Sequence, residues 1–171
     1  MPIGRGELKV FNAYLLMSVE IERKFLVKGD SWRSLATGKL YRQGYIPTQD
    51  GLTTVRVRVV GERGYLTIKG KTEGISRQEF EYVIPLEDAA LMLENLCKKP
   101  LIEKIRHRIS LDNLTWEVDE FWGDNQGLIM AEIELEQEDQ VITIPDWIGE
   151  EVTGDERYYN INLQKFPYKM W

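Results

Sequence analysis

Apolar and polar residues alternate with a period of two through most of this chain, the pattern of β-strands with one face in a core. "VEIERKFLV" (19–27) places Val19, Ile21, Phe25 and Val27 on one parity and Glu20, Glu22 and Lys24 on the other, with Arg23 the one charge among the apolar set. "LYRQGYIPT" (40–48) and "TTVRVRVVG" (53–61) predict a hairpin across Gln49, Asp50 and Gly51. A second follows where "GERG" (61–64) turns into "YLTIKGK". "RQEFEYVI" (77–84) is a further strand ended by Pro85, and "LIEKIRHRISL", "LTWEVDEFW" and "LIMAEIELE" add three more, separated by "DN" and "GDNQG".

The period changes once. In "LEDAALMLENLCKK" (86–99), Leu86, Ala89, Ala90, Leu93, Leu96 and Cys97 fall at helical spacing, with acids in the first turn and Lys98 and Lys99 in the last. A helix up to Pro100 is predicted. Asp30 or Ser31 caps about one helical turn, and a short helix is expected near Pro145 to Glu150. The aromatic-rich end beyond it has weak periodicity. Residues 1–16 are set apart as an N-terminal extension, either an appendage or upstream reading frame, and 17–171 as one domain. The extension lacks the small-residue cleavage site of a signal peptide.

Composition narrows the function. Of the residues, 43% are hydrophobic, enough for a core, and no apolar run approaches the ~20 residues that span a bilayer. The 22 basic and 28 acidic residues give a formal charge of −6, which argues against general phosphate neutralisation of nucleic acid. Cys97, the single cysteine, forms no internal disulfide and is expected to be a buried thiol. A cytoplasmic protein with no membrane or nucleic-acid partner is expected, and a homodimer stays open.

The charged parity is the informative one. It reads Glu20, Glu22, Lys24; Arg56, Arg58; Lys69, Lys71; Glu79, Glu81; Lys104, Arg106, Arg108; Glu117, Asp119; and Glu132, Glu134, Glu136. One such strand is an ordinary wet face of an antiparallel sheet. The set is different, because a merely solvated face would mix in Thr, Ser, Gln and Asn. Closing the strands into a barrel with the charges inward gives a water-filled channel, whose charges must be paired, solvated or ligand-bound. Lys and Arg suit phosphate oxygens, and carboxylates suit hard cations such as Mg²⁺ or Mn²⁺. A metal-polyphosphate complex uses both.

This arrangement resembles the CYTH superfamily of triphosphate tunnel metalloenzymes. The resemblance runs from E-x-E-x-K (Glu20, Glu22, Lys24) through R-x-R (Arg56, Arg58), Lys69, E-x-E (Glu79, Glu81), K-x-R (Lys104, Arg106) and Asp119 to E-x-E (Glu132, Glu134). It implies an α+β fold, an eight-stranded antiparallel β-barrel with a charged lumen and helices packed outside. It also implies cleavage of inorganic tripolyphosphate to pyrophosphate and phosphate, as in the short bacterial tripolyphosphatases, with two Mg²⁺ or Mn²⁺ ions per site. Hydrolysis of an organic triphosphate, adenylate cyclisation and polyphosphate binding without turnover are the alternatives. By position, Glu20, Glu22, Asp119, Glu132 and Glu134 are the implied metal ligands, and Lys24, Arg56, Arg58, Lys69, Lys104 and Arg106 the phosphate ligands. Glu20, Glu22, Lys24, Glu132 and Glu134 form the catalytic set, with Glu79, Glu81 and Glu117 in support. Arg157 is a further candidate for the tunnel mouth. His107, on the apolar parity, is expected to pack outside.

Overall fold

The alternating segments close on themselves. The computed structural model describes residues 19–49 and 51–171, so the extension over residues 1–16 and the turn residue Asp50 lie outside the described residues. The strands are β1 (Val19–Val27), β2 (Gly38–Ile46), β3 (Thr54–Val60), β4 (Arg63–Lys69), β5 (Ser76–Ile84), β6 (Ile102–Leu111), β7 (Leu114–Phe121), β8 (Ile129–Glu134) and β9 (Ile148–Glu151). Helix α1 spans Leu86–Asn95 and helix α2 Asn160–Lys165. The hydrogen-bonded order is β5-β4-β3-β2-β6-β7-β8-β1, and β1 pairs antiparallel with β5 to close a ring of eight. The expected eight-stranded antiparallel barrel is present, with β9 added to β1 at Phe25 and Val27.

Closure sorts the two parities. The outward residues Phe25, Ile109, Trp116, Val118, Ala131 and Ile133 form one core with Trp32, Leu135, Trp147 and Ile148. Trp32 comes from a single 3-10 turn, Ser31–Ser34, so this part of the wall is covered by tryptophans on short connections rather than by helices. Trp116 meets Phe25 and Trp147 edge to face at 5.5 and 5.8 Å. His107 packs on the same outer surface, its ring edge against Trp32 and its Nδ1 3.0 Å from the Ala36 carbonyl. A second core lies beneath α1, where Ala89, Leu93 and Cys97 cover Val57.

A third core lies inside the barrel. The inward parity turns apolar at one end, where Leu26, Tyr45, Ile102, Phe121 and Met130 pack with Val152, Tyr158 and Leu163. This apolar plug occupies that end and leaves the charged residues the remainder of the lumen. The C-terminal segment, unassigned by periodicity, thus supplies part of the plug through α2 and the turn before it.

Two local expectations differ. Helix α1 stops at Asn95, four residues short, because the chain drops onto β2: the Lys98 N–H donates to the Tyr45 carbonyl at 3.1 Å. Gly44 makes the approach possible, since a Cβ there would lie 2.7 Å from the Cys97 Cβ. Lys99 still caps the helix, its Nζ donating to the Leu93 carbonyl at 2.6 Å. Cys97 is buried, as its composition class suggests, and burial pushes its thiol pKa up. The stretch expected to be helical near Pro145 to Glu150 is instead a turn leading into β9, where pairing with β1 overrides local preference. No helix among the described residues is long and apolar enough to cross a membrane.

Helix α1 is seated by a second small residue, Gly64, where a Cβ would sit 2.6 Å from the Ala89 Cβ and 3.0 Å from the Ile84 carbonyl oxygen. Gly64→Ala is therefore expected to overpack this contact and destabilise the barrel by ~1–3 kcal/mol. A urea titration should show a lower midpoint, and an unchanged midpoint would contradict this packing.

Candidate functional site

Side chains two apart on a strand share a face, so the ring gathers the charges of all its strands in one place. They line a cavity of about 1160 Å³ inside the barrel. Its lining includes Glu20, Glu22, Lys24, Arg56, Arg58, Lys69, Glu79, Glu81, Lys104, Arg106, Glu117, Glu132 and Glu134, all on the charged parity of the sequence. Lys71, Arg108 and Glu136 join them, Arg108 largely exposed. Among the described residues, ten basic and nine acidic ones line the cavity, so the chain's acidic excess lies elsewhere.

Two sequence candidates stand apart. Asp119 has no exposed surface and does not line the cavity; its carboxylate lies behind Lys104 and Arg106. It accepts from Lys104 Nζ at 2.5 Å and, at 2.6 Å each, from Arg106 Nε and Nη2. Arg157 is also absent from the lining. It pairs with Asp155 at 2.6 Å and lies over the rings of Tyr158 and Trp171.

Ion pairs bind the rest into a lattice. Lys24 Nζ is 2.7 Å from Glu132 and 2.9 Å from Glu22. Lys69 Nζ is 2.7 Å from Glu20 and 3.0 Å from Glu79. Arg106 also reaches Glu132 at 2.9 Å and bonds Glu117. Glu81 accepts from Arg58 at 2.7 Å, from Arg56 at 3.3 Å and from the Thr67 hydroxyl at 2.8 Å. Arg77, which the sequence reading missed, bridges Glu20 at 2.7 Å and Glu22 at 3.2 Å. Its parity with Glu79 and Glu81 was the signal that could have found it.

Burial and pairing compete at each group. Burial opposes ionisation of Glu20 and Glu132, yet Lys69 and Arg77 at the first, and Lys24 and Arg106 at the second, hold both carboxyls below the usual range. Burial likewise opposes the charge on Lys24, but Glu132 and Glu22 keep its pKa above the ordinary value. Burial and then Arg106 push Lys104 down to about 8 against the pull of Asp119. Glu79 is pushed up to about 7 by burial, with Lys69 opposing and Glu20 adding to the rise.

The lattice is incomplete in a telling way. Glu134 faces Glu22 across the β1–β8 pair, and no hydrogen bond or ion pair reaches its carboxylate among the described residues. Burial, then Glu20, Glu117 and Glu22, raise its pKa. The Nε atoms of Arg56 and Arg58 are buried without an acceptor. The site therefore holds a carboxylate short of a cation, Glu134, and two buried guanidinium N–H donors short of an acceptor. No three acidic side chains among the described residues already converge as a metal cage. The donors fit Mg²⁺ or Mn²⁺ shared with a ligand's phosphates, since Mg²⁺ typically takes one or two carboxylates and completes its shell with phosphate and water. Tyr41 and Tyr65 add aromatic faces, but Arg58 and Arg106 lie over Tyr41 at 5.4 and 5.3 Å, and Arg58 over Tyr65 at 5.7 Å.

Comparison with known proteins agrees with this geometry. The CYTH domain matches residues 18–164. An inorganic triphosphatase of Acetivibrio thermocellus is 58% identical over 153 residues, covering 90% of this chain and 97% of the relative. An inorganic triphosphatase of Nitrosomonas europaea is 37% identical over 148 residues, covering 82% and 93%. The crystal structure of the inorganic triphosphatase NE1496 superposes with a TM-score of 0.59 at 32% identity, over 85% of this chain and 93% of that one. With the closed antiparallel barrel and its charged lumen, these matches establish that the chain belongs to the CYTH domain family.

Proposed function

We propose that this protein is a metal-dependent hydrolase that cleaves inorganic tripolyphosphate to pyrophosphate and phosphate inside the barrel. The observation that carries the reading is the unfinished lattice: Glu134 without an ion pair among the described residues, and Arg56 and Arg58 with buried Nε donors that lack an acceptor. A metal-triphosphate complex supplies both at once. The similarity to inorganic triphosphatases over most of the chain supports the same substrate.

Each residue then has a role that follows from its place. Arg56, Arg58, Lys69, Lys104 and Arg106 bind phosphate oxygens and stabilise charge as it develops on the transferred and leaving phosphates. Glu20, Glu22, Glu132 and Glu134 would hold Mg²⁺ or Mn²⁺, which when bound supplies Lewis acidity and an activated water. Lys24, between Glu22 and Glu132, keeps these two carboxylates in position and offers an ammonium to the substrate. Glu81 with Thr67 orients Arg56 and Arg58, and Asp119 does the same for Lys104 and Arg106 from behind the lining. The plug stops the substrate from passing through that end of the barrel.

An inorganic substrate is favoured over a nucleotide or thiamine triphosphate by two of the tyrosines that line the cavity. The rings of Tyr41 and Tyr65 have guanidinium groups over them rather than open faces on which a base would stack. A binding module without turnover gives no reason for the carboxylate wall, because a polyanion alone would be repelled by it.

Phosphate release from tripolyphosphate is expected with Mg²⁺ or Mn²⁺ and is expected to vanish with a chelator, with ATP and thiamine triphosphate turned over poorly in parallel. Binding without release would favour the module, and cAMP production the cyclase. Arg58→Ala removes a charge-assisted phosphate contact, and should raise KM for tripolyphosphate roughly 10- to 100-fold. Asp119→Asn should lower stability by ~3–5 kcal/mol in chemical denaturation, because it leaves Lys104 and Arg106 partly uncompensated in a buried site. A wild-type denaturation midpoint would remove the anchoring role from Asp119.

A further inference from the structure

Arg77 pairs with two of the carboxylates assigned above to the metal. It lies on β5 in direct register with Glu20 on β1, at the short seam where these two strands close the ring. Its Nε donates to Glu20 Oε2 at 2.7 Å and its Nη2 to Glu22 Oε1 at 3.2 Å. Lys69 and Lys24 hold the same two carboxylates; Lys69 has a second acid outside the metal set, Glu79, whereas the second acid of Lys24, Glu132, is itself assigned to the metal. Both ion pairs of Arg77 end on β1.

Glu20 and Glu22 are the carboxylates assigned above to the metal. A divalent cation on them removes the ion-pair partners of Arg77 and sets a double positive charge beside its largely buried guanidinium. Such a group, left without an acceptor and facing a like charge, is costly. Lys69 falls back on Glu79, whereas Arg77, like Lys24, pairs with carboxylates of the metal set and needs a new anion. A triphosphate in the cavity, which Arg77 lines, provides phosphate oxygens suited to its fork of N–H donors.

We propose that Arg77 is a resident counter-cation: it holds Glu20 and Glu22 in the empty tunnel, opposes divalent metal binding alone, and passes to the phosphate oxygens when metal and triphosphate arrive together. Metal and substrate binding are then coupled through this side chain, each strengthening the other. The inference rests on the metal-dependent triphosphatase reading and adds the order in which charges are exchanged. The competing role is a plain staple across the β1–β5 seam.

Calorimetric titration with Mn²⁺ alone separates the two roles. Arg77→Gln and Arg77→Ala are expected to bind Mn²⁺ roughly tenfold more tightly than the wild type, a difference of about 1.4 kcal/mol. Their KM for tripolyphosphate should rise. Arg77→Lys, which keeps the charge, should bind Mn²⁺ close to the wild-type affinity. Unchanged or weaker Mn²⁺ affinity in both neutral variants, with cooperative melts showing that they fold, overturns the proposal. So does failure of both to fold, because a counter-cation that a metal can replace is not required to hold the barrel together. Wild-type turnover with and without Mn²⁺ is measured alongside. Metal-dependent turnover with no change in Mn²⁺ affinity sinks this inference alone, and its absence sinks the triphosphatase reading beneath it.

Discussion

Everything in this structure depends on pairing charges that a closed sheet has taken out of bulk water. A barrel removes the edges of a sheet, but it also turns one face of every strand toward a confined space. Here that face is charged, and the register decides which charges meet. Glu20 lies opposite Arg77, Lys24 opposite Glu132, Lys69 opposite Glu79, Arg106 opposite Asp119 and Arg108 opposite Glu117. Opposite signs across strands make tolerable the like signs along each strand. The acidic exceptions are Glu22 opposite Glu134 and Glu117 opposite Glu132, which fall together on the β7–β8–β1 wall; a basic one, Lys39 opposite Arg106, lies on the β2–β6 pair. Arg106 offsets the second acidic exception by pairing with both Glu117 and Glu132, so the repulsion left is that on Glu134, which a bound cation would relieve.

An inward charged face forces the hydrophobic effect to act on the outside. The outer wall therefore needs a cover, and the chain supplies different ones for different sectors: α1 over β3 and β4, and Trp32, Trp147 and β9 over the β1, β6, β7 and β8 side. The interior apolar plug is the third solution, because the inward parity is free to become apolar wherever no ligand has to sit. The cover is thin at β5, where Phe80 and Tyr82 remain exposed on the outer parity.

The barrel was legible because its signal is periodic and local. Parity alone places Glu22, Lys24, Arg58, Lys104 and Glu132 in one lumen, and the lining residues agree. Depth was not legible: Asp119 shares the parity of Glu117, yet it lies fully buried beneath two cations while Glu117 lines the cavity. Nor was context. Arg77 sits on the charged parity but outside any like-charged pair, so a search for such pairs passes over it. Helix α1 ends early because of Gly44 and the Tyr45 carbonyl, far away in sequence, and β9 forms because β1 offers it a partner. Contacts between distant segments decide these features, and no window of local sequence contains them.

The same lattice constrains what the tunnel will accept. Its ion pairs are already made, so a ligand gains only what remains after those it displaces have been broken. A polyphosphate without metal would bring negative charge against Glu20, Glu22 and Glu134, and a metal without phosphate would bring positive charge against Lys24, Lys69 and Arg77. Each alone satisfies one sign and aggravates the other. A complex carrying both can replace the internal pairs nearly one for one, with acids turning to the cation and bases to the anion. Selectivity for a metal-bound polyphosphate therefore needs no pocket shaped to a particular organic group. It follows from a lumen whose charges are paired among themselves except at a few groups, and which only a ligand that is itself a salt can satisfy in both signs.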